Sequence, residues 1–374
     1  MLRRLVKSLT NGHSHTGVTK DTLFDPIPAD CDLKCHSCTI KYPASFKIEE
    51  DADLWQTSDG WATHILIATG KSDWVRNVDH EKGSIMEALS KAKKPTNGKL
   101  MVSASNMCPP PEYFTETPQP TTCIILPSWM QVENVTPNDV NELIDKFISP
   151  APTTTTPMVS VAADDPPDEA VEIISKGANE IAPAPASPST TATAPQKNSV
   201  GENGLVARKT DTRDSQGTND DLSLTSAMSN LSVASRVTQN AAELAASSYL
   251  KSNECPHDYL ILLCSHKHRD ARCGQSAPLL LKELRRQLQP LGLYRDLDDY
   301  RPGGVGIYFI NHVGGHKWSA NMIIYRKKAG QGIWLARVKP NDIEAIVRWT
   351  VLDGKVQPEK IRAGFDRCKG LTSW

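Results

Sequence analysis

Apolar residues in this chain gather into short runs separated by polar turns, and two stretches carry them in the same order. In the later stretch, Tyr259-Leu-Ile-Leu-Leu-Cys264 is an unbroken apolar run, the pattern of a strand buried on both faces. A polar, basic segment over residues 265–275 reads as a loop. Over 276–289, Leu279, Leu280, Leu284 and Leu288 recur at helical spacing, with Pro278 in the first turn and Pro290 as the stop. Residues 305–310, 321–325 and 332–338 then read as strands. Asn341 or Asp342 caps a final helix carrying Ile343, Ile346, Val347 and Val351, closed by Asp353-Gly354.

The earlier stretch repeats this order. His64-Ile-Leu-Ile-Ala68 predicts a strand, residues 84–92 a helix with Ile85, Met86 and Leu89 on one face, 100–103 and 123–126 strands, and 140–148 a helix. Both final helices open on one tetrapeptide type, Pro137-Asn-Asp-Val140 and Pro340-Asn-Asp-Ile343, which together with the element order points to an internal duplication. The β-α-β-β-α order is that of a thioredoxin-like domain. The predicted fold class is therefore α/β, with two thioredoxin-like (ferredoxin-type) lobes joined by a long disordered linker.

Composition places that linker. No aromatic residue lies between Phe147 and Tyr249, and residues 150–195 hold nine of the 26 prolines. Such a segment buries too little apolar surface to offset chain entropy. The expected division is a mitochondrial transit segment over 1–20, a first lobe over 21–149, the linker over 150–250 and a second lobe over 251–374. The transit reading rests on Arg3, Arg4 and Lys7 among hydroxyls with no acid before Asp21.

Charge is balanced across the 374 residues, with 42 Lys+Arg against 43 Asp+Glu, so no global field argues for nucleic acid. No apolar run approaches the roughly 18 residues of a membrane span. Nine cysteines cluster with histidines without a secretory leader, which favours metal or redox use over a disulfide frame.

The densest chemistry lies late in the chain. Cys264 ends the first strand of the second lobe and Cys273 follows nine positions on. His312 and His316 flank a Gly-Gly pair in Asn311-His-Val-Gly-Gly-His-Lys317, which reads as a turn between strands. Two thiolates and two imidazoles at one edge suit either zinc or a [2Fe–2S] cluster, the remaining reading being a buried strand cysteine and ordinary turn histidines. The Cys264–Cys273 interval exceeds the tight C-x₂₋₄-C knuckle of structural zinc sites and favours the cluster. His266, Lys267, His268, Arg269 and Arg272 form a basic loop beside it. His266, His268, Cys255 and His257 are spare ligand candidates, and Cys368 is unassigned.

The cysteine pair, the His-Val-Gly-Gly-His turn and the terminal Trp374 resemble the sucrase/ferredoxin-like family of thioredoxin-fold [2Fe–2S] proteins. The resemblance is strong over the second lobe, loose over the first and absent from the linker. It implies Cys264 and Cys273 on one iron and His312 and His316 on the other. It also implies single-electron transfer between redox-protein partners, with loading by iron–sulfur assembly machinery. Neutral imidazoles in place of two thiolates make such a site easier to reduce, and a ring nitrogen off the iron couples electron to proton. Trp374 resembles the terminal tryptophan by which some cytosolic iron–sulfur proteins meet that machinery, which sets a cytoplasmic location against the mitochondrial one.

Cys31-Asp-Leu-Lys-Cys35-His-Ser-Cys38 is a second thiol group. Its C-x₃-C-x₂-C spacing equals that of radical-SAM loops, but the large barrel such chemistry needs has no room in this interrupted chain. Cys35 and Cys38 also have dithiol spacing, without the preceding strand of a thioredoxin active site. The group reads as a zinc or redox-sensing site or as unbound thiols. A rival function follows: a thiol-disulfide oxidoreductase using these cysteines, with structural zinc in the second lobe. Arg301-Pro-Gly-Gly-Val-Gly306 precedes a strand instead of following one, so it is a turn and not a phosphate loop.

Overall fold

The computed structural model describes residues 17–115, 118–159 and 249–374. Residues 1–16 of the expected transit segment and 160–248 of the expected linker lie outside the described residues.

The first lobe runs β1 (Thr63–Ala68), α1 (Ile85–Lys91), β2 (Leu100–Ser105), β3 (Thr121–Leu126) and β4 (Met130–Val135), then helix α2, which starts at Val140–Glu142 and widens into π turns over Leu143–Ile148. After β5 (Lys251–Glu254), the second lobe runs β6 (Tyr259–Cys264), α3 (Ala271–Leu288), β7 (Tyr294–Arg295), β8 (Val305–Ile310), β9 (Met322–Arg326) and β10 (Gln331–Leu335). Helix α4 (Ile343–Ala345, widening over Ile346–Leu352), β11 (Ile361–Asp366) and β12 (Leu371–Thr372) complete it.

The wiring repeats. β1 pairs parallel with β2 and antiparallel with β3, as β6 pairs parallel with β8 and antiparallel with β9. The matched tetrapeptides act alike: Asp139 accepts the Thr136 N–H at 2.9 Å and Asp342 the Lys339 N–H at 2.7 Å, and each turn leads into a helix that widens to π. The duplication expected from the sequence is thus present in the fold.

The two lobes share one 12-stranded mixed sheet, joined where β2 and β8 meet at Ser105 and Ile310. Alternation along each strand divides the core. Ile65 and Ile67 of β1 pack under α1 and α2, and Ile261 and Leu263 of β6 pack under α3 and α4. Leu66 with Leu260 and Leu262 belongs to a third cluster drawn from both lobes, which includes Trp61, Trp129, Tyr325 and Trp334. Within it His64 is fully buried between the Tyr325 hydroxyl and Ser103 Oγ, each at 2.8 Å.

Segments cross between lobes. Leu23 and Phe24 enter the core of the second lobe, and β5, after the linker, pairs back onto β4 of the first. Residues just past 149 also belong to the fold. Thr154 is buried, with its N–H on the Ala62 carbonyl at 2.9 Å and its hydroxyl on the Trp61 carbonyl at 2.7 Å. The tract expected to be linker from 150 onward is therefore folded at its start, because its threonine hydroxyls and backbone find partners. Trp374 stacks on Trp61 at 4.6 Å.

One element differs in a way that matters for the site. Helix α3 begins at Ala271, five residues before the expected start, because the Asp270 carboxylate caps it by accepting the Arg272 N–H at 2.9 Å. Pro278 therefore sits inside the helix and not in its first turn, and Cys273 is helical.

Candidate metal centre

Parallel pairing of β6 with β8 aligns Cys264 with Ile310, so the residues leaving β8 pass beside the end of β6. His312 follows two residues later, and its Nδ1 lies 3.9 Å from the Cys264 sulfur. Helix α3 then returns Cys273, in its first turn, over the same point. The ligand atoms of Cys264, Cys273 and His312 all lie within 4.8 Å of one another, the one such group of three among the described residues. The His316 backbone begins a short 3₁₀ turn, His316–Trp318, and its side chain lies outside the described part of the structure.

Both cysteines are buried and His312 is half-exposed. The Cys264 thiol is held below its ordinary range by the hydrogen bond from Cys273, which outweighs burial, with help from the His266 and Val313 N–H groups. The same bond, together with burial, pushes Cys273 far up. Two buried sulfurs side by side cannot both ionise without a compensating cation. Two thiols and an imidazole converging in this way fit a soft or borderline metal centre.

The surrounding groups hold these donors in place. Gly314 and Gly315 both take left-handed backbone, with φ of 81° and 69°. Arg362, buried beneath them, donates to the Gly314 carbonyl at 3.0 Å, to Asn321 Oδ1 at 3.2 Å and to the Thr57 carbonyl at 3.1 Å. Its guanidinium lies 4.1 Å over the Trp334 ring. Burial lowers its pKa to about 10.

The spare ligand candidates have other work. His266 Nε2 donates to the Trp74 carbonyl at 3.0 Å, and its Nδ1 accepts the His312 N–H at 3.2 Å. His268 pairs with Asp73 at 2.7 Å, Arg269 donates to Asn77 at 2.7 Å and Arg272 pairs with Asp270 at 2.8 Å. Apart from the exposed Lys267, the basic residues of this loop are thus spent on internal contacts, most of them to the loop after β1 of the first lobe. Cys255 and His257 lie before β6, at the far end of that strand from Cys264; His257 Nε2 meets the Tyr308 hydroxyl at 3.0 Å. Cys368 is exposed, its thiol on the Ala329 carbonyl at 3.4 Å. Cys31, Cys35 and Cys38 are remote from the site and join no three-ligand group among the described residues.

The Gly70, Asp73 and Trp74 group after β1 reads from the sequence as either a functional loop or a packed tryptophan, and the structure sets Asp73 and Trp74 against His268 and His266 of the Cys264 loop.

The sequence pattern of the sucrase/ferredoxin-like family matches residues 54–363. The chain belongs to the sucrase/ferredoxin-like family. Among relatives, it is 47% identical over 117 residues to actin patches distal protein 1 of Saccharomyces cerevisiae, covering 30% of this chain and 36% of that protein. It is 38% identical over 106 residues to altered inheritance of mitochondria protein 32 of Clavispora lusitaniae, covering 28% and 35%. The protein of that name in Debaryomyces hansenii is 38% identical over 104 residues, covering 28% and 34%. These alignments span about a third of each relative's length. No solved structure matches. Within the sucrase/ferredoxin-like family match lie all the residues of the Cys264, Cys273 and His312 site.

Proposed function

We propose that this chain is a one-electron carrier in which Cys264, Cys273, His312 and His316 hold a [2Fe–2S] cluster. The observation that carries the reading is the convergence of two buried sulfurs and an imidazole within 4.8 Å in a sucrase/ferredoxin-like chain. Such a cluster supplies one-electron chemistry, at a higher potential with imidazole ligands than with four thiolates.

The protein's own groups give the site two unlike sides. Cys264 and Cys273 are closed off from water, and backbone N–H groups donate to the Cys264 sulfur, a device that raises the potential of a thiolate-ligated centre. His312 borders a cleft of about 270 Å³ with Trp61, Trp334 and Arg362 in its walls. The imidazole side is the face for a redox partner, because the sulfur side is sealed beneath α3. An imidazole that ligates through one nitrogen keeps the other for a proton, so electron and proton transfer are coupled.

The partners on this reading are a redox-protein donor and acceptor, with iron–sulfur assembly machinery to load the site. Mitochondrial placement is proposed from the names of the altered-inheritance relatives and the Arg/Ser/Thr-rich start, with the cytoplasm as the second location. No helix among the described residues is long and apolar enough to cross a membrane.

Anaerobic purification tests the proposal. A reddish-brown protein with about two irons and two sulfides per chain is expected. A colourless protein holding one zinc overturns it.

A further inference from the structure

The second thiol group has a setting of its own at the other end of α3. Residues 31–46 lie as a strap across the second lobe, fixed where the Cys35 N–H meets the Asn341 carbonyl at 2.8 Å and the Tyr42 hydroxyl meets the Val338 carbonyl at 2.7 Å. A turn closes Cys35-His-Ser-Cys38, with the Cys38 N–H on the Cys35 carbonyl at 3.4 Å. Both sulfurs face Glu283: the Cys35 thiol is 4.0 Å from its carboxylate, and Cys38 interacts with the same group.

Three residues of one α3 face hold this arrangement. Glu283 is fully buried and paired with Arg286 at 2.5 Å, and Gln287 donates to it at 2.9 Å. Arg286 and Gln287 also donate to the Cys35 sulfur, at 3.2 and 3.6 Å. Two N–H donors converging on one sulfur, one of them cationic, are what a thiolate needs as an acceptor. A cavity of about 630 Å³ opens beside the pair, lined by both cysteines and Tyr42 and rimmed by Lys34, Lys41 and Lys339. Lys339 is paired with Glu50, which leaves the rim net positive.

We propose that Cys35 and Cys38 are a redox-active dithiol that reduces small disulfides bearing carboxylates. The Cys35 thiolate attacks one sulfur of the substrate, forming a mixed disulfide and releasing one thiolate, which takes up the Cys35 proton. The Cys38 sulfur then attacks Cys35, closing the Cys35–Cys38 disulfide and expelling the second thiolate, which takes the Cys38 proton. Two electrons and two protons pass to the substrate, giving two thiols for each protein disulfide. Glu283, Arg286 and Gln287 position the pair, and the lysines select the anion.

This site stands apart from the metal centre. Glu283 lies ten positions after Cys273 on the same helix, about 15 Å along the axis. Failure of the cluster reading therefore leaves the dithiol reading standing, and the converse holds.

The test uses the full-length protein, reduced and then mixed with oxidised glutathione or, at equal concentration, with cystamine, a cationic disulfide of similar reactivity. Peptide mapping is expected to find a Cys35–Cys38 disulfide, with two glutathiones released per chain. Oxidised glutathione should react about tenfold faster than cystamine, and that advantage should fade at high salt. Cys38→Ser should accumulate a mixed disulfide on Cys35, whereas Cys35→Ser should form neither product. Cys368→Ser, which removes an exposed thiol outside both sites, should leave all of this unchanged. A disulfide to Cys31 in place of Cys38, equal rates for the two probes, or full reactivity in Cys35→Ser would each overturn the proposal.

Discussion

His266 grips His312 through the backbone: its Nδ1 accepts the His312 N–H at 3.2 Å while its Nε2 donates to the Trp74 carbonyl at 3.0 Å. Those two bonds require the neutral ring with its proton on Nε2, and burial, which lowers the His266 pKa, favours that form. The first lobe thereby fixes where the His312 imidazole of the second one sits.

Replacing His266 with Ala strips partners from a buried carbonyl and a backbone N–H, at about 1–3 kcal/mol. The metal should still bind, with a shifted midpoint potential and altered EPR signal. His266→Gln, whose amide both donates and accepts, should restore part of each. Identical spectra and potentials in all three proteins would reduce His266 to packing.

Loss of either sulfur should be more drastic. Cys264→Ser and Cys273→Ser are each expected to empty the site of iron and bleach its visible absorption. The fold should persist by circular dichroism, since the surrounding core is apolar. His312→Cys should keep the iron yet lower the potential, by on the order of 100 mV or more. Full iron content in Cys273→Ser would remove that residue from the ligand set.

The two turn glycines are not equivalent. A methyl at Gly314 meets nothing nearer than Arg362 at 3.7 Å, so Gly314→Ala should cost about 1–2 kcal/mol, from its left-handed backbone alone. A methyl at Gly315 would stand 2.5 Å from the Arg362 guanidinium, which is pinned by its own hydrogen bonds. Gly315→Ala should therefore cost more, roughly 3 kcal/mol, and lower metal occupancy as well. Urea unfolding with metal analysis on both variants checks the order; equal losses would refute it.

Acid should weaken the junction between lobes. His64 is buried neutral, its pKa lowered to about 3 by burial, and His257 is lowered to about 4 for the same reason. An unfolded histidine titrates near 6.5, so between these values the unfolded chain binds more protons than the folded one. Stability is complete above about pH 6.5 and declines as pH falls, by about 2 kcal/mol per histidine at pH 5. Denaturation midpoints at pH 7.5 and 5 measure the loss, and His64→Gln should remove about half of it. A flat profile in the native protein would contradict the buried neutral state.

Much of this architecture was legible from residue pattern. The Tyr259–Cys264 run announced a strand covered on both faces, and the paired Pro-Asn-Asp turns announced a repeated lobe, because both are local signals. The early start of α3 was missed, since Pro278 suggested a first turn and the Asp270 cap that sets the true start lies within a loop-like basic stretch. The joining of both lobes into one sheet was equally hidden. It rests on the single meeting of Ser105 with Ile310, and no sequence period marks a contact between residues so far apart. At the site, Cys264, Cys273 and His312 could be chosen by type and spacing. Arg362 could not, because a buried arginine becomes a site residue only by tertiary placement, and Trp74 reads as either a loop residue with a function or a packed tryptophan until the fold sets its carbonyl on His266.

The exchange of segments has a consequence for how such a chain can change over time. The first half lends Leu23 and Phe24 to the other's interior, and takes back β5 and Leu250 for its own. Cutting the gene between the halves would leave two polypeptides, each missing a piece held by its sibling. Though wired alike, the halves have become interdependent, so that neither deletion nor shuffling can part them cleanly.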